Sequence, residues 1–156
     1  MGLTPDQEKI IQLLVAQERL LSKLYAVFAE QFPNYADFWA KLSKEEEAHA
    51  MLIEKLREAE QKGLVFFDVS KINIYALNTF IDRLGKLVEK AEQSEFTQLS
   101  AFTCAVDYET ALIEKNVFTH FSPANVKVKN TLKTLQSETV KHTEKIKHMR
   151  MEATVK

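Results

Sequence analysis

The 156-residue sequence predicts an all-α chain: four long helices paired as two antiparallel hairpins, joined by a long crossover that contains an additional helix. Glycine and proline number only three each, so few positions interrupt a helix. Leu, Lys, Glu and Ala recur without the strict apolar and polar alternation of strands. Apolar residues return every three or four positions over long stretches, which is the spacing of one buried helix face. The length suits one sizeable core and is short for two, so residues 1–156 are read as a single domain.

Thr4, Pro5, Asp6, Gln7 and Glu8 form a helix start, with a capping hydroxyl, a proline in the first turn and acids at the positive end of the dipole. Ile11, Leu14, Val15, Leu21, Tyr25, Phe28 and Phe32 then hold one stripe, with Glu18 inside it, until Pro33 and Asn34 break the helix after about Gln31. A second helix is predicted from Tyr35 to Lys62, closed by Gly63 as a left-handed terminus. Its stripe carries Phe38, Trp39, Leu42, Ile53 and Leu56, and Glu46 and His49 fall on the same side. The short link between the two helices implies an antiparallel hairpin, which sets Glu18 and Glu46 at similar height.

Leu64 to Ser70 reads as an irregular crossing segment, with Ser70 capping a helix from about Lys71 to Gln93. Its stripe of Ile74, Leu77, Phe80, Ile81, Leu84 and Val88 bears no ligand, and it is expected to cover the end of the bundle. Gly85 within it suggests close packing. A third long helix is expected from Glu95 to Thr119, where Phe102, Ala105, Val106, Leu112, Ile113 and Asn116 share a face with Glu109. Ser122 as cap and Pro123 at the first turn open a fourth, running to about Arg150, with Val128, Leu132, Leu135, Ile146 and Met149 inward and His142 among them.

Glu46 and His49 are three residues apart, hence neighbours on the helix surface, so a carboxylate oxygen and an imidazole nitrogen can converge on one metal ion. Alone, a Glu-x-x-His pair inside the acidic run 45–47 reads as a solvated face. The two hairpins, however, repeat the pattern. Glu18 precedes Glu46 by 28 positions and Glu109 precedes Thr139 by 30, and the text from Leu42 to His49 aligns with that from Leu135 to His142. Four long helices each place an acid or an imidazole on a core stripe, which is costly unless something pairs with the charge.

The order Glu18, Glu46-x-x-His49, long crossover, Glu109 and a second His-bearing helix with His142 resembles the ferritin-like di-iron carboxylate bundles. Length and layout are most similar to rubrerythrin-related proteins lacking the rubredoxin domain. The resemblance implies that Glu18 is a terminal ligand, Glu46 a bridging carboxylate and His49 the imidazole of a first iron, with Glu109 and His142 in matching parts on a second. It also implies oxidoreductase activity toward peroxide or oxygen, an external electron donor and a homodimer. Two positions depart from the family: Thr139 stands where a second bridging Glu is expected, and Leu112 replaces a glutamate one turn after Glu109. Glu138 is adjacent to Thr139 but rotated by about 100° around the helix. Zinc or manganese suit the remaining three carboxylates and two imidazoles as readily as iron.

A bundle that has kept the fold and lost the chemistry, serving for dimerisation or interaction, is the alternative reading; iron storage is a weaker third. The formal net charge of −1 and the lack of a basic face argue against nucleic acid. The single cysteine, Cys104, excludes an internal disulfide and a CxxC metal pair, and reads as a packing residue. Neither a signal segment nor an eighteen-residue apolar run is present, so no membrane association and a cytoplasmic location are expected.

Overall fold

A computed structural model describes residues 4–67, 72–115, 121–123 and 126–155. The chain is all-α in its core, with five α-helices among the described residues: α1 (Pro5–Gln31), α2 (Ala36–Gln61), α3 (Ile74–Glu92), α4 (Gln98–Lys115) and α5 (Val126–Val155). Two three-residue strands, β1 (Val65–Phe67) and β2 (Phe121–Pro123), pair antiparallel, with Phe66 opposite Ser122.

Helix α1 begins as its sequence dictates: Thr4 Oγ1 accepts from Gln7 N at 3.1 Å and Gln7 Oε1 accepts from Thr4 N at 2.9 Å, a complete capping box. Pro33 ends it in a single 3₁₀ turn (Pro33–Tyr35), and α2 folds back along it. Arg57 pairs with Glu8 at one end of this hairpin, and Trp39 packs on Phe28 near the turn, so the helices are antiparallel. Between them Ser22 Oγ donates to Ser43 O at 2.8 Å and Ser43 Oγ to Ser22 O at 2.7 Å. Two small hydroxyl side chains bonded reciprocally to opposite backbones hold α1 and α2 close, one turn from Glu18 and Glu46. Gly63 takes φ +73° at the end of α2, the left-handed role expected of it.

Helix α3 does not cover the end of the bundle as expected: it packs lengthwise along α1, with Leu77, Leu84, Val88 and Ala91 buried. Its amphipathic stripe is long enough to bury more apolar surface along a helix than across an end. The cap is Asn73, whose Oδ1 accepts from Ala76 N at 3.0 Å; the expected cap Ser70 lies outside the described residues. Gly85 does not mark a close approach, since nothing lies within 4 Å of the Cβ it lacks.

Helix α4 starts later than expected, because Thr97 and Ser100 cap it reciprocally, Ser100 N donating to Thr97 Oγ1 at 3.1 Å and Thr97 N to Ser100 Oγ at 2.9 Å. The expected continuation to Thr119 lies outside the described residues. Ser122 and Pro123 do not open α5; both belong to β2, and the helix begins at Val126. Helix α5 packs on α4 and, more sparsely, on α2.

The buried apolar residues separate into two clusters. One joins Ile10, Leu14, Ile53, Leu56, Leu77, Val128, Leu132 and Leu135. The other surrounds Trp39, whose ring centroid lies 5.5 Å from Tyr25, 4.9 Å from Phe28 and 5.0 Å from Phe102, and it includes Leu84 and Ile146. Aromatic pairs of this geometry contribute about 0.5–1.5 kcal/mol each beyond the area they bury. Glu18, Glu46, His49 and His142 lie between these clusters in chain position, and with Glu109, which follows Val106 of the second cluster, they form a buried polar layer.

Candidate metal centre

Four helices supply the polar layer. Glu18 comes from α1, Glu46 and His49 from α2, Glu109 from α4 and His142 from α5, and none is more than 5% exposed. A helix places i and i+3 side chains on one face, which is how Glu46 and His49 meet, with 3.4 Å between Glu46 Oε2 and His49 Nδ1. Across the bundle His142 Nδ1 lies 2.8 Å from Glu46 Oε1 and 3.9 Å from Glu109 Oε1, and His49 Nδ1 lies 3.8 Å from Glu18 Oε2. The two imidazoles stack with centroids 5.0 Å apart and planes inclined by 21°. Glu46 reaches the Nδ1 of each ring, one with each carboxylate oxygen.

Tyr25 donates to Glu109 Oε1 at 2.8 Å, so the core tyrosine suggested by the stripe of α1 has its hydroxyl satisfied by a carboxylate of this layer. Among the described residues, Glu18 Oε2 and Glu109 Oε2 are buried without a hydrogen-bond partner. Donor atoms of Glu46, His49 and His142 lie within 4.8 Å of one another, close enough to hold one metal ion.

The titration behaviour follows from crowding. Burial, then the charges of Glu109 and Glu18, raise the Glu46 carboxyl well above the usual range. Burial pushes Glu109 up to about 7, against the pull of its bonds to Glu46 and Tyr25. Glu18 moves the other way: burial would raise it, but hydrogen bonds with Glu46 and His49 and the nearby imidazoles outweigh that and hold it low. Burial lowers both imidazoles, yet the contact with Glu18 leaves His49 raised, while His142, beside the positive charge of His49, stays lowered. The layer crowds three carboxyls for which protons and a cation compete.

Thr139 faces inward only partly, and its Oγ1 donates to Leu135 O at 2.9 Å within its own helix, so it adds no ligand. Leu112 is half-buried against the aromatic cluster. Ile113 and Asn116 lie outside the residues whose side chains are described. Two further carboxylates meet here that the sequence stripe does not include: Glu45 Oε2 lies 2.6 Å from His142 Nε2, and Glu138 joins them in a second group of closely spaced donor atoms. The signal that could have found them is the repeat itself, because Glu45 and Glu138 occupy equivalent places one residue before Glu46 and Thr139. Burial raises the Cys104 thiol to about 11, which suits an inert packing residue on α4.

Set against known proteins, the chain matches no family model, no curated protein and no solved structure. No helix among the described residues is long and apolar enough to cross a membrane.

Proposed function

We propose that this chain is a ferritin-like, rubrerythrin-type metal protein whose buried layer binds a divalent transition metal, and that it acts as an oxidoreductase toward peroxide or oxygen. One observation carries the reading: five ionisable side chains from four helices converge in the interior, and among the described residues two carboxylate oxygens, Glu18 Oε2 and Glu109 Oε2, lack a hydrogen-bond partner. Buried charges of that kind are expensive unless a cation or a proton compensates them. The chain path adds support. One antiparallel hairpin, a crossover running the length of α1 and a second helix pair is the layout of bundles with a single long crossover.

Glu18, Glu46, His49, Glu109 and His142 would hold the ion. Bound iron supplies electron transfer to the oxidant, and zinc or manganese in the same donor set would supply Lewis-acid chemistry instead. The chain's own contribution is positional: Ser22 and Ser43 fix the height of Glu18 against Glu46, Tyr25 holds Glu109, and the two apolar clusters keep water away. Thr139 limits the set to three carboxylates and two imidazoles, which serves one ion better than a bridged pair. An external electron donor and a homodimer belong to the same proposal.

A metal-free bundle serving as a dimerisation module is the second reading. It is favoured by the 2.8 Å contacts of His142 with Glu46 and of Tyr25 with Glu109, which pair much of the layer without an ion. Metal analysis of protein purified without chelator separates the two. A stoichiometric transition metal supports the centre; metal-free protein whose melting temperature ignores added metal supports the module.

A further inference from the structure

His142 presents its two ring nitrogens to two different surroundings. Nδ1 lies 2.8 Å from Glu46 Oε1 in the buried layer. Nε2 lies 2.6 Å from Glu45 Oε2, on the opposite edge of the ring. Although the ring is fully buried, this contact is not aligned as a hydrogen bond, and among the described residues neither Nε2 nor Glu45 Oε2 has an aligned hydrogen-bond partner elsewhere. Glu138, one turn before His142 on α5, completes a set of three donor atoms within 4.8 Å of one another.

Two groups sharing a proton face each other along the N–H axis. Two ligands of one cation instead aim their lone pairs at a common third point, and therefore stand close together but off each other's axes. Nε2 and Glu45 Oε2 touch at 2.6 Å without the alignment of a shared proton, and a cation entering between them would part them to the wider spacing that two ligands need. Glu46 fits it from behind: a ligating imidazole ordinarily donates its far N–H to a carboxylate, which fixes the tautomer that leaves the lone pair on the metal side. The neighbouring lysines take other atoms. Lys145 Nζ is 3.5 Å from Glu45 Oε1 and Lys141 Nζ is 3.8 Å from Glu138 Oε1, so each carboxylate keeps its second oxygen.

Access comes from the surface. The side chains of Glu45 and Glu138 are 24% and 31% exposed, and a largely apolar cleft of about 210 Å³ between α2 and α5, walled by Phe38, Leu42, Lys145 and Met149, reaches the site at Glu45 alone. Within the repeat, Glu45 and Glu138 are equivalent positions, each one residue before Glu46 and Thr139. The carboxylate pair that Thr139 breaks in the interior is present one residue earlier on both helices, on the outer edge of His142.

We infer that Glu45, Glu138 and His142 Nε2 form a half-buried site for a divalent transition cation of zinc or manganese type, with Glu46 orienting the imidazole. This site does not require an ion in the buried layer. Titration of Zn²⁺ into the metal-depleted full-length chain, by calorimetry with native mass spectrometry for stoichiometry, tests it. E45Q and E138Q are each expected to weaken one bound Zn²⁺ by at least about ten-fold. E18Q and E109Q, whose carboxylates belong to the inner layer alone, are expected to leave that ion in place. Circular dichroism checks that each variant is folded. Wild-type affinity and stoichiometry in both E45Q and E138Q would overturn the inference, as would a wild-type chain that takes up no Zn²⁺. Loss confined to E18Q and E109Q would overturn it too, while leaving the inner centre standing.

Discussion

Tyr25 on α1 donates its hydroxyl proton to Glu109 Oε1 on α4 at 2.8 Å, a buried bond that joins the first hairpin to the second through the interior. The same bond works against the rise that burial imposes on the Glu109 carboxyl. Y25F leaves the volume nearly unchanged and strips the carboxylate of its donor. It is expected to destabilise the metal-free protein by about 1–3 kcal/mol, the usual cost of orphaning a buried polar group. Urea denaturation of Y25F, E109Q and the double variant measures the coupling. Additive effects would show that the two side chains do not share a bond in solution.

Chelation and substitution test the inner layer. E46A and H49A are expected to abolish any stoichiometric metal found in wild-type protein, read by elemental analysis. Chelator should lower the wild-type melting temperature and leave those variants unmoved, since a ligand at about 100 times its Kd stabilises the native state by about 2.7 kcal/mol. T139E, which restores a carboxylate at the position equivalent to Glu46, should raise occupancy. Unchanged occupancy in T139E would show that position 139 does not address the centre.

The pH dependence of the metal-free fold has a definite sign. The Glu109 carboxyl is raised from an ordinary value of 4.5 to about 7, so between these values the native state holds a proton that the unfolded chain has released. Its contribution to stability is therefore full below about pH 4.5 and is lost as pH rises through about 7. The loss is on the order of 3 kcal/mol. Glu46, raised for the same reason, acts in the same direction. E109Q cannot release a proton and should flatten this decline; denaturation at pH 5 and pH 8 compares the two proteins. A decline of equal size in E109Q would mean that Glu109 is not its source. Bound metal should flatten it as well, because ligation needs the carboxylates already ionised.

Periodicity carried the inner layer because a helix stripe states phase directly. Glu18, Glu46, His49, Glu109 and His142 are buried because they sit in phase with Leu14, Leu42, Ile53, Ala105 and Ile146. Phase also explains what was missed. Glu45 and Glu138 lie about 100° off their stripes, and only the reach of a glutamate brings their oxygens round to His142. The place of α3 was illegible for another reason: its stripe says which face is buried and not against what. Strands of three residues are too short to show a period, so β1 and β2 left no trace.

Gly85 and Gly63 make a matched pair for the last prediction. Gly85 lies inside α3 with ordinary helical backbone, and an added Cβ would meet nothing within 4 Å. G85A should therefore stabilise the protein by about 0.5–1 kcal/mol, through reduced freedom of the unfolded chain and better helix propensity. For a chain of this size that is a rise of roughly 1–4 °C in melting temperature. Gly63 also has open space around it, but its φ of +73° is a conformation that L side chains rarely adopt. G63A should lower the melting temperature by roughly the same amount. Differential scanning calorimetry of the two variants reads opposite signs if backbone conformation decides the outcome. A destabilised G85A would instead mean that α3 packs more tightly at residue 85 than the open space around it allows.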